Sequence, residues 1–399
     1  MTKSMTLLYY ATDKDFYDAL MSSRQQFSEA SLREIGRGRG IFYSDREERP
    51  ALAESISLLA FGYGDVSAIV AEFERAGRGE KTSSMRLQAS LTRDEIKAIT
   101  DELAKASAAD GEKTTAYLTG ENGCAIDVKY NELDLARTTL RQVQRKDAHI
   151  EVRMSGSEMV ITYPSTAKGA SIAQGISKRV NTLRSTVIDT EEIDFSAIND
   201  PKAKTEFFYR LVTTLPGFKM EDVTSVRVES TKRDATSSAS GLNSQANEDD
   251  EEAMADESEQ MLGVVRAVAL QGESLLSSRE YVNLQKRGFF ISKIQWSAKR
   301  QTSPFQIVEF DASFNDPKVG YGFRYSVRGW STQKNGTYTK GFNQIPATDK
   351  QELMQLLEER ATALFRELRA ESQTAQNSQG IPKDTDVEAE SQEGIDEAI

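Results

Sequence analysis

The stretches FFISKIQWSAKR (residues 289–300) and YGFRYSVRGW (residues 321–330) decide the fold, because apolar and polar side chains alternate along both. Successive side chains of a β-strand point to opposite faces of its sheet. On the apolar side lie Ile294, Trp296, Ala298, Phe323, Tyr325 and Val327. On the polar side lie Lys293, Gln295, Ser297, Lys299, Arg324, Ser326, Arg328 and Trp330. The pattern predicts strands with one buried face and one basic face.

The neighbouring sequence extends these strands into a meander closed by a helix. A further strand is predicted over residues 305–314, and Asn335-Gly336 is a typical hairpin turn. Leucines and a phenylalanine then recur at helical spacing over residues 349–368. Residues 114–183 repeat the arrangement, with strands joined by turn sequences and a helix at 167–183. The sequence therefore predicts two antiparallel meander-plus-helix units.

The rest of the chain is predicted to be helical or disordered. Thr92-Arg-Asp-Glu95 has the form of a capping box, and apolar residues recur at helical spacing before and after it. Residues 231–259 hold almost no large apolar side chains, so disorder is expected there. The predicted organisation is α+β: a helical region at 1–110, an α+β meander domain at 111–230, a disordered acidic linker at 231–259, an α+β domain with a basic sheet at 260–370, and a disordered acidic tail at 371–399.

Two short segments account for the acidic character of the chain. Residues 248–259 carry eight acids and no base, and residues 371–399 carry eight acids and one base. Taking these sixteen acids and one base from the totals of 62 and 50 leaves 46 acids and 49 bases. The folded part is thus mildly basic. The acidic segments either regulate contact with anionic partners or serve only solubility.

Bulk composition excludes several classes of protein. No window approaches the roughly 18 apolar residues of a membrane span, and the first twenty residues lack a secretory signal. The one cysteine, Cys124, excludes an intrachain disulfide framework and a cysteine-based zinc cluster. We therefore expect a cytoplasmic protein that does not enter a membrane.

Residues 32–59 resemble a SAP motif, a small helix–loop–helix module. Leu32 and Ile35 match the core of its first helix, Arg39-Gly-Ile41 matches its turn, and Leu52 and Ile56 match the core of its second helix. Many SAP modules bind DNA through basic groups near the helix ends, so the resemblance implies phosphate contacts from Arg33, Arg37 and Arg39. The alternative is a local unit that serves packing or protein docking.

The sequence offers little for catalysis. The only histidine, His149, lies within a predicted strand, and nothing nearby orders it and Cys124 as base and nucleophile. The glycine-rich stretches at 36–40 and 77–81 lack the spacing of a phosphate-binding loop. We therefore expect a protein that is not an enzyme and has no cofactor or bound metal, although a carboxylate magnesium site stays open.

Nucleic acid is the best-supported partner. Residues 75–93 hold five bases and one acid before Asp94, and residues 286–340 hold ten bases and three acids. A cationic face with Trp330 could hold a phosphate backbone and stack a base. Besides the three SAP-like arginines, the candidate contacts are Arg78, Lys81, Arg86, Lys293, Lys299, Arg324, Arg328 and Trp330. The alternative is a solvated face whose Lys and Arg residues discourage strand pairing.

Together these features predict a non-enzymatic, nucleic-acid-associated accessory subunit of a prokaryotic DNA-maintenance or antiviral-defence complex, with a protein partner in that complex. A protein-only scaffold that docks an acidic partner is the first alternative. A carboxylate metal-dependent hydrolase is the second.

Overall fold

The computed structural model describes residues 11–22, 27–75, 80–109, 112–120, 123–198, 201–230, 267–271, 278–334, 337–339 and 341–379. Within these residues the fold is α+β, with N-terminal helices followed by a large antiparallel sheet and its helices, so the predicted fold class is confirmed. The predicted linker at 231–259, residues 380–399 of the predicted tail and Arg78 lie outside the described residues.

The described helices are α1 (Asp13–Ser22), α2 (Glu29–Arg37), α3 (Arg49–Ser57), α4 (Tyr63–Arg75), α5 (Arg93–Ala109), α6 (Ala167–Arg184), α7 (Pro201–Thr213), α8 (Arg279–Lys286) and α9 (Ala347–Gln379). The described strands are β1 (Thr82–Leu87), β2 (Lys113–Thr119), β3 (Gly123–Leu133), β4 (Val143–Ser155), β5 (Glu158–Pro164), β6 (Thr190–Glu191), β7 (Phe218–Ser230), β8 (Ala267–Gln271), β9 (Phe289–Arg300), β10 (Gln306–Asp316), β11 (Tyr321–Lys334) and β12 (Thr337–Tyr338). None of these helices combines the length and the apolar character that a membrane crossing requires.

The chain forms two compact units. The first comprises Met1–Asp194, Phe310–Asp316 and Tyr321–Val327, and the second comprises Phe195–Glu309, Pro317–Gly320 and Arg328–Ile399. The chain therefore passes between the units within strands β10 and β11. Each unit has its own buried apolar side chains.

The N-terminal helices of the first unit share a core. Leu20, Leu32, Leu52 and Ile56 are fully buried in it, so the core positions of the SAP-like segment face inward. Leu140, at the tip of the β3–β4 hairpin, completes this core. Leu140, together with a hydrogen bond from Arg141 to the Ser22 hydroxyl at 3.2 Å, thus links the helical segment to the β3–β4 hairpin of the same unit.

The sheet of the first unit contains the predicted meander β2-β3-β4-β5, followed by α6. Apolar residues on one face of these strands form a core with α5 and α6 that includes Ile99, Ile150 and Ile176. Strand β1 lies within the region predicted to be helical, and it pairs with β5 along its whole length. Its sequence, TSSMRL, is too short for a clear period, and the pairing across more than 70 residues defines it as a strand.

In the second unit, β7 pairs with β8 on one side and with β9 on the other. Helix α7 packs on β9, and α9 packs on α7. Phe195 contacts both Phe207 and Phe365 edge-to-face, which joins the two helices through aromatic rings. The segment interpreted as a linker between domains therefore connects two adjacent strands of one sheet.

The C-terminal helix, α9, continues beyond the predicted start of the acidic tail. It ends at Gln379, and Glu371 within it accepts two hydrogen bonds from the Arg210 guanidinium at 2.8 and 3.2 Å. This ion pair links the last turns of α9 to α7. It also holds the pKa of Glu371 below its usual value.

Candidate nucleic-acid interface

Strands β7 and β9 bring cations directly opposite one another. In their register Lys219 faces Lys299, and Arg227 faces Lys293. Directly opposed residues of an antiparallel pair point to the same side of the sheet, and like charges there are destabilising. Lys219 and Lys299 therefore form a like-charged pair on this ladder, whereas Arg227 also lies 3.8 Å from the Glu229 carboxylate.

Between the two cation pairs the ladder is polar. Asp222 faces Ser297, and Ser225 faces Gln295. The Gln295 amide donates to Glu309 on β10 at 2.6 Å, and Arg328 on β11 donates to the Gln295 carbonyl oxygen at 2.9 Å. The carboxylates of Asp222, Glu309 and Glu229 thus lie among these cations, and Glu229 is 3.8 Å from the Arg227 guanidinium. We call the basic side chains Lys219, Arg227, Lys293, Lys299 and Arg328 the cationic face.

The opposite side of the same strands is apolar. Val226, Ile294, Trp296 and Ala298 are fully buried, whereas Lys299 is exposed and Lys293 and Gln295 are partly exposed. Along β11, Phe323, Tyr325 and Val327 are buried, while Arg324, Ser326, Arg328 and Trp330 are partly exposed. The alternation predicted for β9 and β11 is confirmed, apart from Ser297. This residue is buried, and its hydroxyl donates a long hydrogen bond, 3.5 Å, to the Asp222 carbonyl oxygen.

Trp330 is held at one end of the cationic face by its backbone. Its N–H donates to the Asn343 carbonyl at 3.0 Å, and its own carbonyl accepts from the Asn343 N–H at 2.8 Å. The neighbouring Gly329 permits this approach, because a Cβ there would lie 2.9 Å from the Phe342 Cβ. The indole is therefore mounted on a fixed segment of backbone.

The arginines of the SAP-like segment are engaged locally. Arg33 donates to the carbonyl oxygens of Ser44, Asp45 and Glu47 in the loop that follows its helix. Arg39 pairs with Asp65 at 2.6 Å, donates to the Ala60 carbonyl and stacks over Phe61. Arg37 is well exposed and pairs with Glu34 at 2.6 Å. Two of these three arginines fix the loops of the helical segment.

The remaining predicted contacts in the first unit also have structural partners. Lys81 lies 2.8 Å from the Asp311 carboxylate, which is fully buried, and donates to the Ser313 hydroxyl at 2.9 Å. Arg324 donates to the same hydroxyl at 3.1 Å. Arg86 is buried and pairs with Glu158 at 2.8 Å. The structure therefore brings Lys293, Lys299, Arg328 and Trp330 together in the second unit and places Lys81, Arg86 and Arg324 in ion pairs and hydrogen bonds of the first.

Lys219 and Arg227 were not among the predicted contacts. They belong to β7, whose pairing with β9 joins residues about 70 positions apart in sequence. Local alternation in β7 is also broken by irregularities in register at three places along the ladder. In the sequence, only the presence of two bases in a strand-like segment could have indicated Lys219 and Arg227 as contacts.

Cys124 and His149 lie on opposite faces of one sheet. Cys124 is buried on the face toward α5, where its thiol lies 3.0 Å from the Thr100 hydroxyl. His149 and Asp127 face the other side and share a 2.6 Å contact between Nδ1 and Oδ1. A cysteine–histidine pair is therefore not formed. Among the described residues, no three His, Cys, Asp or Glu side chains converge as a metal site would need.

No protein-family model matches this chain, and no curated protein matches it significantly in sequence.

Proposed function

We propose that the chain is a non-enzymatic accessory subunit that binds nucleic acid through the cationic face of the second unit. The observation that carries this proposal is the like-charged pair Lys219 and Lys299, which face each other across the ladder at the end of the face where Trp330 lies. An arrangement that costs stability in the free protein is relieved when an anion lies between the charges. A phosphate backbone supplies such anions at regular intervals.

The salt dependence of binding tests this proposal. A mobility-shift titration with labelled DNA and RNA at about 50 and 200 mM salt should show a steep loss of affinity, because phosphate contacts release counterions. The double variant Lys219→Ala/Lys299→Ala removes two contacts and should lower the slope of log K against log salt by about 1.4 to 1.8. A shift absent at low salt, even after deletion of residues 380–399, contradicts the proposal.

A matched control separates the cationic face from net charge. Lys97 and Lys105 are exposed on α5 in the first unit. The variant Lys97→Ala/Lys105→Ala removes the same charge, and alanine suits a helix. Its salt slope should equal that of the unmodified protein. An equal fall in both double variants would show that binding follows overall charge and not this face.

A protein-only scaffold is the second candidate, and one observation favours it. Phe42, Leu58 and Tyr63 are 80%, 68% and 67% exposed near the loop that Arg39 ties to Ala60 and Asp65. Exposed apolar side chains of this size are common at protein interfaces. If no nucleic acid binds, a partner whose affinity falls in Phe42→Ser/Leu58→Ser would support this reading. That the subunit serves DNA maintenance or antiviral defence stays a prediction.

A further inference from the structure

We propose that the cationic face takes single-stranded nucleic acid, with one base stacked on Trp330. This inference rests on the proposed function and specifies the class of nucleic acid. It follows from three features of the second unit: the position of Trp330 beside a cation pair, the width of the sheet and the spacing of the two cation pairs.

Trp330 lies at the same end of the face as Lys219 and Lys299. Gln333, three residues after Trp330 on β11, pairs with Tyr338 on β12. The Lys299 Nζ lies 5.2 Å from the centre of the Tyr338 ring. Lys219 and Lys299 therefore lie at the Trp330 end of the face, and the Tyr338 ring lies beside Lys299. Cations beside aromatic rings are the usual means by which proteins hold unpaired bases and their phosphates.

The width of the sheet argues against a duplex as the preferred ligand. The strand order β11-β10-β9-β7 places three strand spacings across the face, about 14 Å at roughly 4.8 Å each. The major groove of B-DNA is about 12 Å wide and admits a helix or a two-stranded ribbon. A duplex could therefore meet this face only through its phosphates. The indole of Trp330 would then have no base to contact.

The two cation pairs lie far enough apart for an extended strand. Lys299 and Lys293 are six residues apart on β9, which is about 20 Å along the strand. A single strand laid along the face would meet one pair near Trp330 and the other near Arg227. Its bases are free to turn toward the sheet, since they are not stacked within a duplex.

Intrinsic fluorescence tests this inference directly. The chain has two tryptophans, and Trp296 is fully buried, so quenching on addition of ligand reports Trp330. We expect an oligothymidylate of roughly 15 nucleotides to quench the emission, and a hairpin duplex of equal charge to leave it unchanged. In Trp330→Leu the anisotropy-measured affinity for the oligothymidylate should fall about five- to a hundredfold. Affinity for the hairpin should stay constant.

Trp330→Tyr keeps a ring and should restore most of the affinity, while circular dichroism and the melting temperature confirm that both variants fold. If the hairpin binds as tightly as the oligothymidylate and Trp330→Leu changes neither affinity, this inference is overturned while the proposed function stands. If neither probe binds at about 50 mM salt, the proposed function itself fails.

Discussion

The basic residues of the SAP-like helices and those of the β7–β9 ladder have different surroundings. Arg33 and Arg39 donate to backbone carbonyls and a carboxylate within their own helical segment. Lys219 instead faces Lys299 across a strand pair, and Arg227 faces Lys293 while it lies 3.8 Å from the Glu229 carboxylate. Guanidinium groups that stabilise a loop are already satisfied, whereas opposed cations gain from an added anion. The arginines of the SAP-like helices therefore stabilise their own loops, and we propose that the lysines of the β7–β9 ladder bind an anion.

The largest expected effect comes from breaking the buried ion pair between Lys81 and Asp311. Asp311→Ala removes the carboxylate beside Lys81, which is nine-tenths buried, and leaves a charge in a poorly hydrated place. Removing one partner of a buried ion pair costs about 3–5 kcal/mol. The free energy of unfolding, measured in urea, should fall by about that amount. Asp147→Ala, at an exposed carboxylate of the same unit, serves as the control and should change it by less than about 0.5 kcal/mol.

The companion double variant decides whether Lys81 is structural. Replacing both partners, as in Lys81→Met/Asp311→Leu, removes the uncompensated charge and should recover most of the lost stability. A double variant as unstable as Asp311→Ala would show that the ion pair is not the source of the loss.

A smaller effect tests the cationic face by reversing its charges. Lys293→Glu/Lys299→Glu places carboxylates opposite Arg227 and Lys219. We expect unchanged or higher stability, since opposite charges across a ladder are favourable. Nucleic-acid affinity at about 50 mM salt should fall at least about tenfold, because two phosphate contacts become repulsive. Loss of affinity together with loss of fold would not distinguish binding from stability, so thermal melts accompany the titration; a folded variant with full affinity contradicts the proposal.

The two regions show that the sequence alone predicts burial along a strand but not pairing between distant strands. Alternation in β9 and β11 predicts the buried Trp296 and the exposed Lys299 correctly, because burial on one face is a local property of a strand. The burial of Arg86 is not a local property. It depends on the pairing of β1 with β5, which brings Glu158 to within 2.8 Å.

Partners distant in sequence account for the remaining differences. Lys81 forms an ion pair with Asp311, which lies 230 positions later in the chain. Strand β7 likewise pairs with β9, which follows the segment at 231–266. Counting bases along the chain marks both regions as positive, yet only the pairing of strands shows which residues lie beside each base. A one-residue change in register would also have placed Arg227 on the buried side of the sheet.

Glu192 is a partly buried carboxylate that accepts hydrogen bonds from two tyrosine hydroxyls. Burial raises the pKa of Glu192, against the effect of hydrogen bonds from the Tyr321 and Tyr163 hydroxyls at 3.3 and 3.4 Å. The folded state therefore binds this proton more tightly than the unfolded chain, so the stabilisation is full in acid and is lost as pH rises through the folded pKa. Glu192→Gln imitates the protonated form. Its free energy of unfolding at pH 7.5 should exceed that of the unmodified protein by about 1 kcal/mol or less. The difference between the two proteins should narrow at pH 4.5. A difference that widens in acid reverses the sign and rejects this account.

The smallest effect measures the repulsion on which the proposed function depends. In a double-mutant cycle of Lys219→Thr and Lys299→Thr, the repulsion between the lysines should appear as a coupling of about 0.2–1 kcal/mol, with each single variant already relieving it. Threonine suits a strand, so neither substitution should disturb the backbone. Salt should reduce the coupling, because exposed charges are screened. Saturating oligothymidylate should abolish the coupling or reverse it, since the bound phosphates then attract both lysines. If the cycle shows no coupling, solvent already separates the two charges. The β7–β9 ladder then no longer supports the proposed binding surface.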